Sequence, residues 1–321
     1  MAFVLKSKLN IDIYNKRINR TMPFLGIDGV EQNSAQNLLS QMTVGIAGAG
    51  GIGGAGGIGG AMAVRLARFG VKKIKIADPD TFDYSNINRQ LGACLKNIGK
   101  NKARVVGEMA YELAEDVDIE IYDEGINEET ATDFVKGCDL ILDQVDFSLL
   151  KEKFALHRAF RKESSCKAIL ACSVIGWTAH LYKFLKTSLP VEEWYSFSNE
   201  ESISSLADSD KTERMLKLWA PRFPLYPSFK NIMQWIKETD ALPIFAGSPP
   251  VAEGLLTQRA ILCLLDKEYP PYATTLPPIP SIYIYDAAQL NGAIYHSDGN
   301  IKNQMEIDQF NSQLEINKNE K

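Results

Sequence analysis

The chain has 321 residues, 45% of them apolar and 23% charged, with a net charge of −5 and a pI near 5.4. That is enough chain for one large core, and too acidic for the clustered Lys and Arg that a phosphate-rich partner demands, so no nucleic-acid partner is expected. Nor is a membrane partner: no apolar run reaches the roughly 20 residues that cross a bilayer. Residues 1–10 lack the apolar region of a secretory signal, and Cys94, Cys138, Cys166, Cys172 and Cys263 show no CxxC spacing. The expectation is a cytoplasmic protein with reduced thiols.

In chain order, Thr43 to Gly48 (TVGIAG) is a β-branched and apolar run that ends in glycine, and an apolar helical pattern from Ala61 to Phe69 follows and stops at Gly70. Lys73 to Ala77, Val117 to Tyr122 and Leu140 to Leu142 read as further strands. Helical patterns at Lys102 to Leu113 and Glu128 to Val135 separate them. This alternation predicts an α/β fold with a Rossmann-like, mostly parallel sheet covered by helices on both faces. A helix at about Ser148 to Arg161 and strands at Ala168 to Cys172 and Ala179 to Phe184 come next.

The rhythm then breaks. Lys186 to Ala241 holds Trp194, Trp219 and Trp235 among acidic patches and prolines, and reads as a long crossover with short helices. Val251 to Leu265 returns as a helix and Ser281 to Tyr285 as a strand. The expected organisation is an N-terminal arm and nucleotide-binding half over 1–185, a crossover for substrate recognition over 186–242, a helix and strands completing the same domain over 243–298, and a polar tail over 299–321.

At the strand-to-helix turn the hexapeptide GAGGIG occurs twice in tandem, at Gly48 to Gly53 and at Gly54 to Gly59. Glycines there let the backbone approach phosphate and leave helix N-terminal N–H groups aimed at anionic oxygen. Gly48, Gly50, Gly54, Gly56, Gly57 and Gly59 are therefore candidate nucleotide-binding positions. Six added helical residues would lengthen the helix by about 9 Å, and glycine is a poor helix former, by about 1 kcal/mol per residue. The first copy is accordingly expected to finish the strand, the second to start the helix, and the surplus to loop out. Which copy would meet phosphate stays open.

Beyond the glycines comes DPDTFDYSNINRQ at Asp78 to Gln90, then GKNKARVV at Gly99 to Val106, with RINR at Arg17 to Arg20 upstream and LDQVD at Leu142 to Asp146 downstream. This combination resembles the ThiF/MoeB/E1-like adenylyltransferase superfamily. An ordinary dinucleotide-binding sheet also places an acid after its second strand, but has no reason to follow it with Asn, Arg, Gln and Lys. The resemblance implies ATP and Mg²⁺, with Arg89 and Lys102 on the phosphates, Asn86 and Gln90 orienting them, Asp78 on the ribose hydroxyls with Asp80 beside it in the nucleotide site, and Asp146 on the metal. It further implies a homodimer in which Arg20 reaches into the neighbour's site. The chemistry would be attack of a carboxylate on the α-phosphate with release of pyrophosphate, which calls for gathered cations rather than a protein nucleophile.

Two departures matter. Lys186 to Ala241 contains no cysteine for acyl transfer, and no paired CxxC for structural zinc is present, so no zinc is expected. Phe147 stands where the family usually has Asn after the metal-binding Asp. Of the cysteines only Cys94 is a candidate for reactivity, the others reading as buried small residues; His157, His180 and His296 lack ligand spacing and read as core or surface. The resulting expectation resembles the peptide-maturation branch of the family: adenylation of a peptide or small-protein carboxylate. The alternatives are activation of the C-terminus of a ubiquitin-like sulfur carrier, and a nucleotide-binding partner subunit without activity.

Overall fold

The computed structural model describes residues 2–26, 32–49, 57–195, 197, 231, 234–235, 238, 243–268 and 273–295. Gly50, Gly54, Gly56, His296, Trp219, most of the crossover and the polar tail lie outside them. Nine strands form one mixed sheet in the order β1-β4-β3-β2-β5-β6-β7-β8-β9. They are β1 (Phe3–Leu5), β2 (Thr43–Ala47), β3 (Lys73–Ala77), β4 (Asp118–Tyr122), β5 (Leu140–Asp143), β6 (Ala168–Ile175), β7 (Thr178–Phe184), β8 (Ile282–Asp286) and β9 (Asn291–Tyr295). The middle five, β4-β3-β2-β5-β6, are parallel; β1 and the β7-β8-β9 meander add antiparallel margins.

The parallel middle is buried on both faces, and its side chains alternate between two cores with the period of two that a pleated strand imposes. Val44 and Ile46 of β2, Ile74 and Ile76 of β3, and Leu140 and Leu142 of β5 enter one core. Helices α3 (Gln32–Leu39), α4 (Ile58–Phe69), α5 (Lys102–Tyr111) and α9 (Ser248–Leu264) contribute to that layer. Ile141, Ile169, Tyr182 and Phe184 enter the other, against α6 (Ala131–Val135), α7 (Leu150–Lys162) and α8 (Val191–Trp194). Phe134 and Phe154 fill that second layer, both buried.

The N-terminal arm carries four elements that periodicity did not predict: β1, α1 (Ile11–Ile18), α2 (Met22–Leu25) and α3. They are short, and their order comes from specific anchors. Asn10 caps α1 by accepting from the Asp12 and Ile13 N–H groups. Arg17 forks onto Asp116 and donates to the carbonyls of Ala67 and Arg68 at the C-terminal end of α4. The helix predicted over 128–135 shortens to Ala131–Val135, because Asn127 and Thr130 form a turn in which Asn127 accepts from the Glu129 and Thr130 N–H groups.

Phe134 reaches across the second core to an edge contact with Tyr122, ring centroids 5.3 Å apart. Phe134→Ala should therefore lower the unfolding free energy by about 3–5 kcal/mol, read from the midpoint of a urea titration.

Candidate functional site

Strand order places the site. From β2 the chain crosses through α4 to β3 on one side, whereas β5 pairs with β2 on the other. The connections leave in opposite directions between β2 and β5, and the crevice at the carboxyl ends of those strands is where open α/β sheets bind ligands.

The glycine turn sits in that crevice. Gly48 adopts φ +97, and a Cβ there would lie 2.3 Å from the carbonyl oxygen of Gln144, just past β5. Gly57, at φ +116, is the N-cap of α4, and a Cβ on it would lie 2.7 Å from the Arg89 carbonyl. At Gly59 a Cβ would overlap the Gly48 carbonyl at 1.8 Å. Helix α4 thus starts in the second copy of the hexapeptide, whereas the strand ends at Ala47, one residue before the first copy, which was expected to finish it. The N-cap of α4 is a glycine, and no described side chain caps the helix; the Gly60 N–H donates to the Ala49 carbonyl at 3.1 Å, and the N–H groups of Ile58 and Gly59 stand with it at the positive end of the helix dipole.

The acidic motif after β3 folds around this turn. Asp78 is buried; it accepts from the Ala49 N–H at 2.7 Å and from the Asp80 N–H at 2.9 Å. Burial pushes its carboxyl above the usual range despite nearby Lys102. Lys102, the first residue of α5, is itself buried and ion-paired with Asp80 at 3.0 Å. Asn86 closes a capping box with Asp83 at the start of a 3-10 turn, and Gln90 lies buried four residues on. Arg89 is half-buried. One of its terminal nitrogens donates to the Ser85 carbonyl and the Asn88 side chain, while its Nε is buried without a hydrogen-bond partner among the described residues. Burial lowers the pKa of its guanidinium, so an anion beside it would relieve both costs.

On the other wall stands Asp146, buried and held by the Ser148 N–H at 2.8 Å and the Ser148 hydroxyl at 2.6 Å. It lines a cavity of about 40 Å³ with Asp143, Lys153, Ser173, Tyr182 and Trp194. The Trp194 indole N–H is buried without a partner among the described residues. Among the described residues no cluster of three or more His, Cys, Asp or Glu is arranged to hold a metal ion. A single carboxylate suits Mg²⁺, which takes one or two and otherwise binds phosphate and water.

Glycine turn, Asp78, Asp80, Asn86, Arg89, Gln90, Lys102 and Asp146 are therefore gathered at one end of the sheet. Arg20 is not. It is exposed, between Arg17, anchored at the C-terminal end of α4, and Leu25, whose carbonyl accepts from Lys267 just past α9. The glycine turn lies at the other end of α4, about 18 Å away for 12 residues. Cys94 caps a 3-10 turn and is partly exposed; Cys138, Cys166, Cys172 and Cys263 are buried.

Sequence reasoning missed the support beneath the metal-side wall. Asp143, fully buried, accepts from Lys153 Nζ at 2.7 Å and is bonded to His157 Nε2 at 3.0 Å. Burial would raise its pKa, but these two neighbours outweigh that and hold it at about 2. Burial also keeps His157 neutral, its pKa pushed down despite Asp143. The available signal was Lys153 and His157 at i and i+4, one face of a helix.

A model of the ThiF family matches residues 14–206. The tRNA threonylcarbamoyladenosine dehydratase of Haemophilus influenzae is 34% identical over 82 residues, 25% of this chain and 31% of that protein. A probable molybdopterin-synthase adenylyltransferase of Porphyra purpurea is 31% identical over 133 residues, 41% of this chain and 31% of that protein. The matched stretch thus spans about a third of the length of these curated relatives. The crystal structure of E. coli MccB with ATP superposes with a TM-score of 0.57 at 17% identity, covering 90% of this chain and 73% of that one, a likeness of fold.

Two outcomes follow from this geometry. Asp143 contributes stability that is fully present above its ordinary value near 3.8 and is lost as pH falls through about 2; unfolding titrations should show Asp143→Asn losing less stability across that window than the parent. Lys153→Met leaves a buried carboxylate unpaired and should cost about 3–5 kcal/mol at neutral pH, seen as a lowered Tm.

Proposed function

The chain belongs to the ThiF family, and we propose that it is an ATP-dependent adenylyltransferase whose substrate is a carboxylate on a peptide or small protein. The observation that carries this reading is the convergence, at one switch point, of the α4 N-terminus behind its glycine N-cap, the half-buried Arg89 whose Nε has no hydrogen-bond partner among the described residues, the buried Lys102 and the buried Asp146. Three cationic or N–H-rich elements and one carboxylate suit a nucleoside triphosphate with its metal. The likeness to a named adenylyltransferase over 133 residues supports the same reaction class.

In this reaction a substrate carboxylate oxygen attacks the α-phosphorus, the bond from that phosphorus to the bridging oxygen breaks, and pyrophosphate departs with the electron pair. The protein's part is positioning and charge neutralisation. The N–H groups of α4 would bind phosphate oxygens, Gly48, Gly57 and Gly59 giving the backbone room to approach. Arg89 would offset charge as it develops on the phosphates. Lys102, ion-paired with Asp80, would do the same. Asp78 fixes the glycine turn through the Ala49 N–H and stands where ribose hydroxyls would be met. Asp146 would hold Mg²⁺, which when bound neutralises the departing pyrophosphate.

Arg20, exposed and next to the Arg17 anchor at the far end of α4 from the glycine turn, would serve a second copy in a homodimer in which it crosses the interface. The five free thiols, four of them buried, suit a reducing cytoplasm; no described helix is long and apolar enough to cross a membrane. A second reading, activation of the C-terminal tail of a sulfur carrier, draws on the Porphyra relative.

ATP–pyrophosphate exchange with Mg²⁺, run against peptides bearing free carboxylates and against Gly-Gly tails, tests the proposal. Substrate-dependent exchange should fall at least about 100-fold in Arg89→Ala and in Asp146→Ala. ATP binding with no exchange on any substrate would instead identify a partner subunit without activity. For the dimer, mixing Arg20→Ala with Arg89→Ala should restore exchange that neither variant shows alone.

A further inference from the structure

Beside the nucleotide crevice lies a second cavity that the reaction above does not use. It is about 230 Å³, lies between the β6–β7 hairpin and the start of α9, and is lined by Trp177, Ala179, Phe245, Ser248, Val251 and Ala287 among others. Its mouth is formed by two aromatic rings, Trp177 and Phe245, with centroids 4.7 Å apart. Both remain about 40% exposed, at 39% and 41%, so the pair offers ring surface to an incoming apolar group.

The rings are held in place. Phe245 lies over Gly247, where a Cβ would come within 2.5 Å of the ring. Ser248 ties the start of α9 to the hairpin by donating to the Gly176 carbonyl at 2.8 Å. The cavity also adjoins the reacting end of the sheet through two contacts. Asn88, next to Arg89, donates to the Ile244 carbonyl at 3.2 Å. Pro249 lies 3.5 Å from where a Cβ on Gly57, the N-cap of α4, would stand. Ile244 and Pro249 each adjoin a lining residue, Phe245 and Ser248, so the walls of the cavity are tied to the segment that carries Arg89 and to the start of α4.

We infer that this cavity is the specificity pocket of the adenylation site and takes one large apolar side chain, aliphatic or aromatic, of the peptide whose carboxylate is activated. The inference rests on the adenylation reading for the identity of its occupant. The lining is apolar and aromatic, the volume suits one such side chain, and rigid rings supply contact area with little entropy lost on binding. A Lys or Ser side chain would find no charged partner in the lining and would lose its hydration.

The probes are N-acetylated hexapeptides with a free C-terminal carboxylate, in which each of the three residues before the last is in turn Phe, Leu, Ser or Lys. Binding is measured by isothermal titration without ATP, and pyrophosphate exchange separately. At one position the Phe and Leu peptides should bind at least about tenfold tighter than Ser and Lys. That preference should vanish in Trp177→Ala, Phe245→Ala and Gly247→Ala and persist in Trp177→Phe, with ATP affinity and the circular dichroism spectrum unchanged in all four. Equal binding whatever the side chain, a preference that survives loss of either ring, or no binding by any peptide overturns the pocket. If the ring-dependent preference is present and exchange is absent, the adenylation reading fails while the pocket stands. If exchange proceeds equally in Trp177→Ala and the parent on every peptide, the pocket fails while adenylation stands.

Discussion

The site depends on a backbone-to-backbone approach at the mouth of β2. Gly48, Gly57 and Gly59 bring the end of a strand, the start of α4 and the carbonyls of Gln144 and Arg89 closer than any Cβ would permit. That packing aims the helix N-terminus into the crevice, sets Arg89 against it and brings β5, with Asp146 just beyond, to the other wall. A single methyl at Gly59 would separate strand from helix and, with them, the two sides of the site. The charges matter only because this approach gathers them.

A second layer of constraint lies beneath Asp146. The buried Asp143 is neutralised by Lys153 and bonded to His157, both from one face of α7, so the strand end that carries the metal-side wall is locked to the helix behind it. Such an arrangement is costly to break from either side. It differs in kind from Arg89, whose Nε has no hydrogen-bond partner among the described residues. One set of charges is satisfied within the protein and stiffens it; the other is not fully satisfied by the described residues around it.

Much of this could be read from the sequence, and the limits have physical causes. The parallel middle of the sheet showed itself through short β-branched and apolar runs alternating with helical patterns, and the motif after β3 through the combination of residue types that resembles the ThiF family. Lys102 drew notice in the sequence as a candidate site cation, but its ion pair with Asp80 was not legible there, since that depends on how the chain turns after β3. Elements β1, α1, α2, α3 and β9 went unread because they are short; the arm is held by long-range anchors, Arg17 to Asp116, Gln36 to the Phe69 carbonyl and Lys267 to the Leu25 carbonyl, rather than by periodicity. The Trp177–Phe245 pair joins positions 68 residues apart (245 − 177) and has no local signature.

The way the glycine turn is fastened also bears on how such a chain tolerates change. Ala49 is held by Asp78 and Gly57 is seated on the Arg89 carbonyl, so both flanks of positions 50–56 are fixed by partners elsewhere in the molecule. Length variation between two such fixed points does not shift the register of β2 or the heading of α4. The tandem hexapeptide thus falls where the fold is insulated from insertion, which makes the turn a place where evolution can vary loop length without renegotiating the sheet.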